Sequence, residues 1–238
     1  MNKLSPEDVA NKFEAEVTKL IDYYSRSVAA LTGSPTEKSD TSLLAEHVFL
    51  SAAISFEGAL SDIFFAYTNI DSSAFVAKKE SLVKELVKKE YGSWYADKIN
   101  FGTVKHINAG DLYPLLDPNG HNITFYDGRK MVDRAEKNLI PAHAAKYKAL
   151  NNSQVKLMNA AKFIRNCIAH RSDSSYEAMM DALVKLTSST FKSLARSKDK
   201  KVNSIGAYLK AATKPRSSMT RLELYLTELK NIVLALGH

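Results

Sequence analysis

Arg165, Asn166 and His170 are the residues whose types and spacing bear most directly on chemistry. A guanidinium is permanently charged and presents a fork of donors to phosphate oxygens. An imidazole exchanges protons near neutral pH, and a carboxamide both donates and accepts. The set suits work on a phosphodiester: Arg165 on the phosphate, His170 as general acid or base, and Asn166 orienting either the phosphate or the imidazole. Lys162 and Arg171 add positive charge for binding a polyanion. Cys167 lies three residues before His170 but near a helix C-terminus, where the negative dipole end raises a thiol pKa. It reads as a small buried hydrophobe. His47, His106, His121 and His143 fall at no paired metal-ligand spacing, and C-x-x-C, H-E-x-x-H, Walker and dinucleotide-glycine patterns are all absent. Neither a metal nor a cofactor is expected.

The element that must carry these residues is a helix over about 153–170, capped by Asn152 or Ser153. At 100° per residue, Leu157, Ala161, Ile164 and Ile168 fall within about 60° of one another and form a core stripe. Asn159, Lys162, Asn166 and His170 form a second stripe opposite, and Arg165 projects between the two. His170 is one turn beyond Asn166. Arg165, five residues before His170, is about 140° away on the wheel, so one straight helix cannot aim both at one phosphate. Either the helix ends before His170, or the pocket draws residues from two chains, as a two-fold homodimer would allow.

The rest of the chain also reads as helix. Ser5 caps a first helix with Pro6 at its first position, and Val9, Phe13, Val17, Leu20, Ile21, Tyr24 and Val28 recur at three- and four-residue steps. A second helix starts at Asp40 or Thr41 and runs to about Tyr67; apolar almost all round, it should be central. A third opens at Ser72 or Ser73 with a solvated lysine face. Residues 91–128 are broken by glycine and proline and read as an irregular insertion, with His121–Tyr126 a candidate short strand. Helices follow at about 131–139 and 142–150, then 174–194, 204–212, and a last one from Ser217 or Ser218 with the stripe Leu222, Leu226, Leu229, Val233 and Leu236. No repeat or low-complexity tract is evident. The expected fold is one all-α domain over 1–238.

Its 238 residues suffice for a core without staples, and the single cysteine excludes an internal disulfide. Net charge is +7, but residues 151–238 hold 15 Lys and Arg against 6 Asp and Glu, and residues 1–150 hold 18 against 20. All the excess lies with the Arg165–His170 segment. Clustered charge of this kind attracts polyanions. The apolar run Val48–Tyr67 has spanning length, but Glu57 and Asp62 would each cost about 2.5–3.5 kcal/mol in a bilayer. It reads as a core helix, no secretory signal is visible, and a cytoplasmic protein with no membrane partner is expected.

Arg165-Asn166-Cys167-Ile168-Ala169-His170 resembles the R-x(4–6)-H motif of the HEPN superfamily, with the polar residue after Arg and the Ala before His that many members show. The layout looks closest to bacterial families of the RiboL-PSP-HEPN type, over the second helix and about 155–190. The resemblance implies a HEPN-type helical bundle acting as a ribonuclease without metal, through a composite site in a symmetric dimer. It also implies an acidic residue on an earlier core helix near the motif, for which Glu57 is the matching position. Biologically it implies a toxin or antiviral-defence effector that hydrolyses RNA, with an antitoxin or defence-system protein as a candidate partner. The plainer readings are a non-catalytic HEPN module that binds RNA, a nucleotide or a protein; a helix-terminal histidine at 170; and Glu57 as a buried ion-pair partner, Arg165 among the candidates.

Overall fold

The computed structural model describes residues 5–118, 123, 125, 127–197, 199–214 and 218–238. All of its regular elements are helical: α1 Pro6–Leu31, α2 Glu37–Ile70, α3 Ser73–Tyr91, α4 Ser93–Ala96, α5 Ala109–Leu116, α6 Gly128–Asn138, α7 Pro141–Lys148, α8 Asn152–His170, α9 Asp173–Lys185, α10 Ile205–Lys210 and α11 Arg221–Gly237. Among the described residues the one β-type pairing is an isolated bridge between Ala212 and Thr220. The protein is all-α.

Local chemistry accounts for where the helices begin. Asn151 and Gln154 cap α8 reciprocally, each side chain accepting the other's backbone N–H, so the helix starts one residue early. Thr220 and Glu223 do the same for α11, which therefore starts after Ser217 and Ser218; Ser217 lies outside the described residues, as do His121 and most of the candidate strand 121–126. The helix expected over 174–194 stops at Lys185 and gives way to two 3-10 turns, Leu186–Ser188 and Lys192–Leu194. Thr187, Ser188 and Ser189 each donate a side-chain hydroxyl to a carbonyl three residues back, offering the backbone an alternative to continued α-helix. Residues 91–128 are less irregular than expected, since they contain α4 and α5.

The chain divides into two compact units. One comprises residues 8–60 and 150–238. Its core joins Phe13, Phe49 and Phe56 with Leu157, Ile164, Met179, Leu183, Leu226 and Leu229, all buried. Phe49 meets Tyr225 edge-on at 5.4 Å. Tyr208 donates to the Leu194 carbonyl at 2.6 Å and lies 3.1 Å from the Tyr225 hydroxyl, so these enclosed phenols are hydrogen-bonded. The stripes expected on α8 and α11 are the buried faces of those helices.

The other unit comprises residues 61–149 and the first seven. Here Phe64 and Tyr67 on α2 each meet Tyr147 on α7 edge-on, and Phe65 stacks on Tyr113 at 3.7 Å. Tyr147 is fully buried and its hydroxyl makes no hydrogen bond. His143, one turn earlier, lies against the Tyr67 ring with its Nδ1 enclosed and unbonded. Burial pushes the Tyr147 phenol far up and the Tyr67 phenol up to about 12, and it lowers the His143 imidazole.

α2 contributes to both units, and its two parts differ. From Ala59 to Asn69 every residue except Asp62 is buried, as its composition predicts. Nearer its start Leu43 and Ile54 are about half exposed, so α2 is not enclosed along its whole length. It alone among the described helices is long and apolar enough to cross a membrane, and 61% of that apolar window is buried.

Candidate functional site

The residues singled out around Arg165 lie within the unit formed by 8–60 and 150–238. α8 is positioned by its apolar stripe: Leu157, Ala161, Ile164 and Ile168 are buried, which turns Asn159, Lys162 and Asn166 to a half-buried flank and leaves His170 exposed. The helix does not end before His170, which is its last residue. Arg171 follows in the left-handed conformation, φ 49°, the one non-glycine residue with positive φ among those described. Its N–H closes the helix onto the Cys167 carbonyl at 3.0 Å, and Ser172 immediately caps α9. Two residues thus turn the chain between α8 and α9, and the exposed imidazole stands beside that turn.

Arg165 is held from two sides. Its Nη1 donates to Asn166 Oδ1 at 3.0 Å, and its Nη2 lies 3.6 Å from Glu57 Oε2 on α2. Its Nε is enclosed and makes no hydrogen bond. Asn166 therefore orients the arginine, a role different from those first assigned to it. Glu57 is not a buried carboxylate: its side chain is 43% exposed, against 28% for Arg165. A pair this open contributes at most about 1 kcal/mol to stability, so it fixes the guanidinium's direction more than it holds the fold together. Arg165 and His170 stay about 140° and about 7.5 Å of rise apart on an unbroken helix.

Arg171 reaches a second carboxylate, Glu46 Oε2, at 3.8 Å. Glu46 also accepts the Gly206 N–H at 2.9 Å, in the first turn of α10. Gly206 needs to be glycine, because a Cβ there would meet the Ser42 carbonyl oxygen at 2.1 Å. Sequence reasoning missed Glu46. The signal was present, since Glu46 and Glu57 are eleven residues apart, about 20° on the wheel, and so share one face of α2. The earlier acid pairs with the later arginine and the later acid with the earlier one, so α2 and α8 run antiparallel at this face.

Of the residues expected to act, Arg165 contacts both Asn166 and Glu57. Lys162 shares their flank, while Arg171 is 74% exposed beyond the helix end. Cys167 is buried; burial raises its thiol pKa, the Glu46 charge raises it further, and a hydrogen bond with Ser175 offsets part of this. That disfavours a thiolate nucleophile. No group of three or more His, Cys, Asp or Glu able to hold a metal occurs among the described residues. No protein-family model matches the chain, and no curated protein or solved structure matches it significantly.

Proposed function

We propose that the protein is a metal-independent endoribonuclease of the HEPN type, acting as a toxin or antiviral-defence effector. One observation carries the reading: Arg165 is held by Asn166 and Glu57 on the open flank of a helix that runs unbroken to an exposed His170. In the reaction, a ribose 2′-oxygen attacks the adjacent phosphorus while a base takes its proton. The P–O5′ bond breaks, and the departing 5′-oxygen takes up a proton. The products are a 2′,3′-cyclic phosphate and a 5′-hydroxyl. Arg165 balances charge on the non-bridging oxygens and His170 transfers protons. Lys162, Arg171 and the basic excess of residues 151–238 hold the strand.

The 140° between Arg165 and His170 is reconciled by a homodimer in which two α8 helices lie near a two-fold axis and each chain completes the other's pocket. A fully active monomer in scattering at assay concentration would remove the composite site. A second reading is favoured by the Glu57 carboxylate, which already lies where a phosphate would meet Arg165. On that reading the protein is a non-catalytic HEPN module for RNA, a nucleotide or a protein partner.

RNA cleavage with end mapping separates the two. Cleavage should survive EDTA, stop when the ribose at the cut site lacks its 2′-hydroxyl, and leave a cyclic phosphate or its hydrolysed form. His170→Ala and Arg165→Ala should each fold and lose about 10²–10⁴ in rate. Loss of activity in EDTA with rescue by Mg²⁺, or full activity of His170→Ala, would overturn the mechanism. No cleavage by the wild-type dimer would leave the binding module.

A further inference from the structure

Among the described residues of the unit formed by 61–149, five aromatic side chains are exposed, and three of them lie together on α3 and α4. Tyr91, at the end of α3, is 69% exposed; Trp94 and Tyr95, on α4, are 66% and 57% exposed. They are clustered: Tyr91 and Tyr95 lie 6.3 Å apart between ring centroids, and Trp94 and Tyr95 5.0 Å. Gly92, at φ 87°, makes the turn between the helices. Lys98 places its ammonium 5.4 Å from the Trp94 ring centre.

The charge around the cluster identifies the occupant. Taking Lys84 as zero on the α3 wheel, Lys88 falls at about 40° and Tyr91 at about 340°, one row leading to the aromatics. Leu82 and Leu86, the exposed leucines of α3, fall at about 160° and 200°, on the opposite side. Lys78, Lys89 and Lys79, at about 120°, 140° and 220°, share the leucines' side, whereas the row that ends at the aromatics carries Lys84 and Lys88 and no exposed leucine. Carboxylates are present too. Glu80 is paired with Lys84 at 2.6 Å, Glu85 and Glu90 fall at about 100° and 240°, and Asp97 precedes Lys98. Flat faces interleaved with cations suit bases and phosphates, and stacking accepts any base because every base has a π-face.

We infer that Tyr91, Trp94 and Tyr95, with Lys88 and Lys98, form a stacking platform for single-stranded nucleic acid. Stacking is indifferent to the sugar, so the platform takes DNA as well as RNA. It does not rest on the ribonuclease reading.

Trp94 is the only tryptophan in the chain, so its fluorescence reports the platform in the intact protein. The probe is a short oligothymidine, which has no 2′-hydroxyl to cleave. It should quench Trp94 saturably, with affinity falling as salt rises; Lys88→Gln with Lys98→Gln should lower that salt slope by about 1.4, about 0.7 for each charge on a single strand. Tyr91→Ala and Tyr95→Ala should each weaken binding at least about fivefold, the lower end for losing one stack, without moving Tm. Tyr95→Leu, which keeps apolar bulk but loses the flat face, should bind as poorly as Tyr95→Ala. Absence of quenching would overturn the proposal, as would full binding by Tyr95→Leu. So would a blue shift with phosphatidylglycerol vesicles but no response to oligothymidine, or an emission change tracking protein concentration alone. Cleavage activity enters none of these outcomes, so the platform and the ribonuclease reading can fail separately.

Discussion

The polar groups around Tyr147 and those around Arg165 each include an enclosed, unbonded atom, but they differ in how much of the rest solvent reaches. Tyr147 and His143 are packed among Phe64 and Tyr67 with a hydroxyl and a ring nitrogen enclosed and unbonded, and burial pushes the Tyr147 phenol far up and lowers the His143 imidazole. Arg165, Asn166 and Glu57 are partly open to solvent, and His170 more so. Burial and perturbed titration are the usual pointers to an active site, yet here they mark an aromatic core. The difference teaches that two criteria part company in this molecule: burial and perturbed titration select the aromatic core, and hydrogen-bonding capacity within reach of a ligand selects the Arg165 flank.

Substitution at each place tests the contrast. Tyr147→Ala should cost about 3–5 kcal/mol in chemical denaturation, as expected for a large buried side chain. Tyr147→Phe should be neutral or stabilising, because it removes a buried hydroxyl that makes no hydrogen bond. A clear loss in the Phe variant would mean that the hydroxyl is partnered, and the contrast would break.

His143 sharpens it through pH. Burial, opposed in part by the Asp71 charge and a hydrogen bond with the Tyr67 backbone, lowers its folded-state pKa below the ordinary 6.5. As pH falls through 6.5 the unfolded chain takes up the proton first, so stability should decline on acidification below that point. His143→Gln should flatten the pH dependence of Tm on the acid side of 6.5. An unchanged slope would place the acid-sensitive group elsewhere. Asp71 acts in a lower window. Its pKa is pulled beneath 3.8, mainly by hydrogen bonds from Ser73, and the stability it adds is lost only as pH falls further still.

Smaller effects belong to the open site. Glu57→Gln should change stability by no more than about 1 kcal/mol, as for other exposed pairs, while changing cleavage or RNA affinity more than Tm. A large stability loss with activity per folded molecule intact would make Glu57 structural. Arg171→Gly should be smallest: it relieves left-handed strain of about 1 kcal/mol and gives up a mostly exposed ion pair. Tm should hold or rise slightly while RNA affinity falls, and a marked fall in Tm would show that Glu46 depends on Arg171.

Much of this is legible in the sequence. The 3.6-residue periodicity of 6–31 and 222–236 and the two seams of α8 follow from side-chain pattern alone, because burial there depends on one helix's own spacing. What escaped depended on partners remote in sequence or on side chains turning back on the backbone. Glu57 looked buried because its neighbours are apolar, but exposure is set by what packs on that face of α2. The hydroxyls of Thr187, Ser188 and Ser189 ended a helix whose apolar pattern continued. Arg171 occupies a conformation that its residue type does not advertise. For the Arg165–His170 segment, the residues, their helix and the Glu57 contact were readable, while Glu46 and the arginine-orienting role of Asn166 were not.

Gly206, whose missing side chain lets α10 lie against the backbone of α2 at Ser42, has a consequence for descent. Its N–H is bound by Glu46, 160 residues earlier, so position 206 cannot accept a larger residue while that packing persists. A distant relative that has changed most of its surface, yet keeps this arrangement, should still show glycine there and an acid at the position of Glu46. With an arginine and a histidine five residues apart near the end of the intervening helix, these make a fingerprint sparse enough to survive divergence and spread widely enough along the chain to resist coincidence.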